Sequence, residues 1–222
     1  MKEFRVKSFS EFHECIQRYD QNFTVFRGVR DAAYSLVPKI GRPDTKLIGQ
    51  LAKSEKRMLQ LFQDRAVPHL PTMPRSDWEW IAVMQHHGVP TRLIDWSRNA
   101  LVAAYFAVEK ESTTDSAVYA WRSTERPVDV SKDMGPFDIT EVRKFIPAHV
   151  SERIVAQSGL FTVHPSPTEP MESDTLEKIV ILQIFRKPMK DILFRYGIHR
   201  ATLFPGLDGL ANHITWLHVE SH

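Results

Sequence analysis

Cysteine is almost missing from this sequence: Cys15 is the only one in 222 residues, which excludes an internal disulfide. Long apolar runs are missing as well, and no stretch approaches the roughly 18 consecutive apolar residues of a spanning helix. No charged N-terminal segment leads into an apolar run as a secretory signal does, so the chain reads as cytoplasmic and not membrane-inserted. An excess of one charge sign is also lacking. Twenty-nine Lys and Arg stand against 27 Asp and Glu, a formal charge of +2, too little to mark an electrostatic nucleic-acid binder, and no nucleic-acid motif emerges. There is no internal repeat and no low-complexity tract. What remains is ordinary globular composition, 42% apolar and 25% charged, enough for one core and one domain over residues 1–222.

Local patterns predict a mixture of helices and strands. Ser8 with Glu11 forms a capping box for a helix carrying Phe12, Cys15, Ile16 and Tyr19, and Ser76 with Glu79 forms another, opening a helix that ends near Gly88. Leu47, Ile48, Leu51, Met58, Leu59 and Phe62 recur at helical spacing among charges, which predicts an amphipathic surface helix from about Lys46 to Ala66. Ala100 to Ala107 has almost no polar face and must be a buried helix, with Ser97 or Asp95 supplying the N-cap oxygen. Ser151 is placed to cap a short helix ending at Gly159, Pro188 stands in the first turn of another, and Pro205 starts a last one. Strands are expected at Phe4–Val6, Phe23–Arg27 ending at Gly28, Ala117–Trp121, Leu160–Val163 and, longest, Thr175–Phe185. The fold class is therefore α+β: small mixed or antiparallel sheets flanked by helices.

Polar residues crowd between Gln85 and Asn99, where a helix ends and a buried helix begins. A buried helix start presents free N–H groups and partial positive charge, and with the forked cation of Arg92 it suits a phosphate or a ribose hydroxyl. Asp95 pairing with Arg92 to hold a buried turn is the structural alternative, about as well supported for either residue alone. Arg27 at a strand end beside Gly28 divides evenly between ion-pair partner and ligand residue. Arg153 and Gln157 lie one turn apart and can reach one site, or tie their helix to its neighbours. The adjacent His86 and His87 point in different directions, so a metal is not expected.

Phe26-Arg27-Gly28, Gln85-His86-His87-Gly88-Val89-Pro90-Thr91-Arg92-Leu93-Ile94-Asp95-Trp96-Ser97 and Ala103-Ala104-Tyr105-Phe106-Ala107 together resemble the FRG domain family. The likeness continues at Ala117–Trp121, at Arg153–Thr162 and at Leu203–Ala211, covering about residues 23–214. It implies relatedness and a bacterial or phage context; the family is named for its motif and not for an activity. The order of motifs also resembles the ADP-ribosyltransferase fold. That resemblance implies Arg27 against the pyrophosphate or nicotinamide ribose of NAD, Ser97 steadying the ribose, and Phe161 or Tyr105 stacked on nicotinamide; Gly28, Thr91, Arg92, Arg153 and Gln157 complete the candidates for holding the dinucleotide. ADP-ribosyl transfer passes through an oxocarbenium-like state that needs a carboxylate. Glu152, Asp95 and Glu177 are the rivals for that role, and none of the three stands in the Glu/Gln-x-Glu pair of the transferases.

Three functions follow from these readings. The first is an NAD-dependent transferase or glycohydrolase, a toxin or defence effector, acting with Arg27, Arg92, Asp95 and Glu152 on a macromolecular acceptor. The second is a noncatalytic module for a nucleotide or phosphorylated ligand. The third is a metal-independent phosphodiester hydrolase with His86 or His87 as base and Arg92 as anion clamp.

Overall fold

The computed structural model describes residues 1–70, 72–132, 134–147 and 152–220. Elements run β1 (Lys2–Val6), α1 (Phe9–Ile16), β2 (Thr24–Val29), α2 (Leu51–Ala66), α3 (Asp77–His86), β3 (Leu93–Ser97) and α4 (Ala100–Val108). They continue through β4 (Ser116–Arg122), β5 (Arg143–Phe145), α5 (Glu152–Ala156), β6 (Gly159–Val163), β7 (Leu176–Ile181), α6 (Arg186–Arg195), α7 (Arg200–Leu203) and α8 (Leu207–Thr215). The strands form one seven-stranded mixed sheet in the order β1-β7-β4-β2-β3-β6-β5, in place of several small ones. Among the described residues β1 and β7 pair in parallel and the other pairings are antiparallel. The molecule is a single α+β domain.

Strand alternation divides the core. Phe26, Val118, Ala120, Ile179 and Ile181 face α1, α4 and α6, whose Phe12, Ala103, Ala107, Met189 and Leu193 complete the larger cluster. Their sequence neighbours Val25, Tyr119 and Trp121 point the other way, joining Ile94, Trp96, Leu160 and the loop residues Leu36 and Met171. The all-apolar α4 is buried as its composition demands, and Gly28 is what lets it settle: a Cβ there would lie 1.9 Å from the Ala103 carbonyl oxygen and 2.6 Å from the Ala107 nitrogen.

Both expected N-caps start their helices, Ser8 Oγ accepting from the Glu11 amide at 3.2 Å and Ser76 Oγ from the Glu79 amide at 3.3 Å, while the Glu11 and Glu79 carboxylates reach one residue further back, to the Lys7 and Arg75 amides at 2.8 and 2.7 Å. Other boundaries differ from expectation. β2 runs on through Gly28 to Val29, α2 begins only at Leu51 so that Ile48 is exposed, and Tyr19 lies beyond the end of α1. β7 stops at Ile181, making β4 the longest strand, and the short β5 carries no strand signal of its own. The cap of α4 is neither Ser97 nor Asp95, both inside β3, but Asn99, whose Oδ1 accepts from the Leu101 amide at 2.9 Å. Ser151, expected to cap α5, lies outside the described residues.

Candidate functional site

The sheet opens at its centre. β2 pairs with β4 over six residues but meets β3 at one bridge, Phe26 to Ser97. Beyond it the strands splay, leaving main-chain groups of β3 without a ladder partner. The Arg27 side chain fills the gap, donating from Nη1 to the Asp95 main-chain oxygen at 2.6 Å and to Asp95 Oδ2 at 3.3 Å. Above the split lies a cleft of about 350 Å³, walled by β2, β3, the end of α3, α4 and α5. This is at the low end of small-molecule sites, roughly 300–1,000 Å³.

Arg27 and Asp95 therefore face one hollow. The Arg27 side chain is 17% exposed and that of Asp95 55%. The Nε and Nη2 of Arg27 have no protein partner among the described residues, so donors remain for a guest. Gln85, at the end of α3, donates from Nε2 to Asp95 Oδ2 at 3.0 Å, and its Oε1 accepts the Thr91 hydroxyl at 2.6 Å. Lys39, from the loop after β2, crosses to the Gly88 carbonyl at 2.8 Å. Lys39, Arg27 and Arg153 line the cleft with one carboxylate, Asp95, among the described residues. Burial holds the pKa of nearby Arg42 below its ordinary value, and the charge of Arg27 adds to the effect.

Arg92, expected as an anion clamp here, turns away. It is 4% exposed and its Nε and Nη2 both reach Glu55 Oε2 at 2.9 Å, while its backbone N–H donates to Glu55 Oε1 at 2.8 Å. Phe137 lies against the guanidinium, 4.9 Å from ring centre to Cζ. Arg92 thus staples α2 to the start of β3, and does not pair with Asp95. Thr91 is fully buried and bonds Gln85, so it too stands behind the cleft wall.

On the α5 side, Ser97 Oγ donates to the Gln157 main-chain oxygen at 2.7 Å and accepts the Asn99 amide at 3.0 Å. Gln157 Nε2 donates to the Leu203 oxygen at 3.0 Å. Arg153 donates to the His86 oxygen at 3.3 Å and lies over the Phe204 ring at 4.4 Å, where Arg200 also stacks at 4.6 Å. All three line the cleft: Ser97 ties β3 to the end of α5, and Gln157 and Arg153 fasten α5 to Leu203 and Phe204 at the end of α7. Glu152, the expected catalytic acid, sits exposed at the start of α5 and is not among the residues lining the cleft. Glu177 lies on β7, accepting the Tyr19 hydroxyl at 2.8 Å. Phe161 pairs with Asp95 across β3 and β6 and stacks on Phe145, 6.3 Å between ring centres. Tyr105 lies outside the cleft, its hydroxyl against Glu109 at 3.5 Å; burial, then the Glu109 charge, raises its pKa.

His86 lines the cleft with its pKa pulled from 6.5 down to about 4, first by burial, then by Arg153 and His87. Among the described residues no group of three His, Cys, Asp or Glu is disposed to hold a metal ion, and no helix is long and apolar enough to cross a membrane. Gln85, Lys39 and Phe106 line the cleft without having been singled out as site residues. Each carried some signal: Gln85 opens the motif that ends at Asp95 and Ser97, Phe106 lies in the Ala103–Ala107 motif, and Lys39 lies in the Pro-containing loop between Ala32 and Pro43.

Residues 22–116 match the family model of the FRG domain. This chain contains an FRG domain. No curated protein and no solved structure matches it. The FRG match spans β2 to α4 and so includes Arg27, Gln85, Thr91, Arg92, Asp95 and Ser97, whereas the α5 wall lies beyond it. The three letters of the FRG motif have separate physical roles here. Phe26 packs in the larger core, Arg27 closes the split in the sheet, and Gly28 admits α4.

Proposed function

We propose that the cleft binds a phosphate-bearing nucleotide and that its reaction is cleavage of NAD, either ADP-ribosyl transfer or hydrolysis. One observation carries this reading: three cations and a single half-exposed carboxylate converge on a hollow large enough for one nucleotide half. The excess positive charge favours a polyanion, and Arg27 offers unpartnered N–H donors to a phosphate. Phe106, Ala103 and Ile154 supply apolar wall for a planar ring.

Asp95, and not Glu152, is then the carboxylate that offsets positive charge developing on the ribose. The N-glycosidic bond breaks, nicotinamide leaves with the bonding pair, and water or an acceptor nucleophile forms the new bond to the anomeric carbon, releasing a proton to solvent. Arg27 and Gln85 hold Asp95 in place. His86, held near pKa 4, is a poor general base at neutral pH, which disfavours phosphodiester hydrolysis.

A second reading, a noncatalytic nucleotide-binding module, is favoured by the same carboxylate: Asp95 Oδ2 is already engaged by both Arg27 and Gln85. Incubation of purified protein with NAD, with and without cell lysate, separates the two by nicotinamide release. Enzymatic cleavage predicts turnover that falls about 100-fold or more in Asp95→Asn and is lost in Arg27→Ala. Thermal stabilisation by NAD or ADP-ribose without consumption assigns the cleft to binding alone. Neither turnover nor stabilisation in the wild-type protein overturns both readings.

A further inference from the structure

We propose that Gln85 is the positioning residue of the cleft and that Thr91 anchors the carbonyl end of its amide, so that one N–H stays aimed at Asp95. The inference extends the reading in which Asp95 meets the ligand, and it reassigns Thr91 from a ligand contact to a buried support. The direction of the chain of hydrogen bonds follows from donor counting. A carboxylate oxygen accepts, so the 3.0 Å contact at Asp95 Oδ2, the oxygen that Arg27 also reaches, takes its proton from the NH₂ end of Gln85. The carbonyl end is left for Thr91, whose hydroxyl donates to Gln85 Oε1 at 2.6 Å while its oxygen accepts the Leu93 amide at 3.1 Å. With both donors on Oδ2, Asp95 Oδ1 has no protein partner among the described residues and is the oxygen left for a ribose hydroxyl. Reversal of the amide would set a carbonyl oxygen against Asp95, and the bond from Thr91 to the carbonyl end holds the donor end toward the carboxylate.

Two measurements test this, one of them without ligand. In the ligand-free protein the Gln85 side-chain ¹⁵N–¹H signals should shift in Asp95→Asn and in Thr91→Val, and Thr91→Ser, which keeps the hydroxyl, should restore the wild-type signals. Calorimetric affinity for ADP-ribose should fall about tenfold or more in Gln85→Glu, which keeps the size and the Thr91 bond but replaces the donor with an acceptor. It should fall similarly in Thr91→Val and recover in Thr91→Ser. Unchanged Gln85 signals in Thr91→Val, or failure of Thr91→Ser to restore them, overturns the proposal. So does full affinity in Gln85→Glu. If wild-type protein binds neither NAD nor ADP-ribose, the functional reading falls while the Gln85 signals still decide the relay.

Discussion

Two arginines of this domain show how little residue type says about role. Arg27 keeps unpartnered donors in an open cleft, whereas Arg92 spends its guanidinium on Glu55, which is fully buried. Removing one member of a buried pair leaves the other uncompensated, so Glu55→Ala should lower unfolding free energy by about 3–5 kcal/mol. Urea denaturation measures this, and the double variant Glu55→Leu/Arg92→Met should recover a large part of the loss. Arg92→Met should leave ADP-ribose affinity of the folded fraction near wild type, the opposite of Arg27→Ala. An effect of Arg92→Met on affinity as large as that of Arg27→Ala would contradict the separation of roles. The sequence contained a clue to it. In an extended segment Thr91, Leu93 and Asp95 point one way and Arg92 the other, so an Arg92–Asp95 pair requires a turn that β3 does not make. The partner that claims Arg92 is 37 residues away, beyond any local pattern.

At the scale of elements, glycines separate packing from backbone conformation. Gly28→Ala pushes a methyl into the backbone of α4 and should cost at least about 1–3 kcal/mol. Gly88 has φ +85° and nothing within 4 Å of an added Cβ, so Gly88→Ala should cost about 1–2 kcal/mol through conformation alone. Only the first should open the sheet–helix contact, which hydrogen exchange of the α4 amides would detect. Helices and the five expected strands were legible, because caps, 3.6-residue periodicity and runs of β-forming residues are local. The buried α4 was legible from composition alone, although its cap came from Asn99. The split between β2 and β3 was not legible, since it depends on one bridge between residues 71 positions apart in sequence, Phe26 and Ser97. That split makes the cleft. Of the candidates read from the motifs, Arg27, Asp95, Arg153 and Gln157 line this cleft, whereas Arg92 and Glu152 do not.

The whole molecule carries a proton-linked liability. His164 is 2% exposed, its Nε2 against Thr162 Oγ1 at 2.9 Å, where the Trp96 indole also donates. Burial, then Arg27, pulls its pKa from 6.5 to about 4, and His86 is lowered as far. Between those pH values the unfolded chain binds protons that the folded one refuses. Stability should therefore decline as pH falls from about 6.5 toward 4, with no further loss from these two groups below that. Denaturation midpoints across this range measure the slope, and His164→Asn should make it shallower even if the variant is weaker at pH 7. An unchanged slope would mean that His164 does not exclude its proton.

The parallel pairing of β1 with β7 joins residues 2–6 to residues 177–181. On a ribosome the first strand is thus made about 170 residues before its mate, a delay on the order of ten seconds at usual synthesis rates. Until then Phe4 and Val6 belong to an unclaimed ribbon, and a crowded polysome offers that ribbon the β7 of a neighbouring nascent copy, a route to strand exchange between molecules.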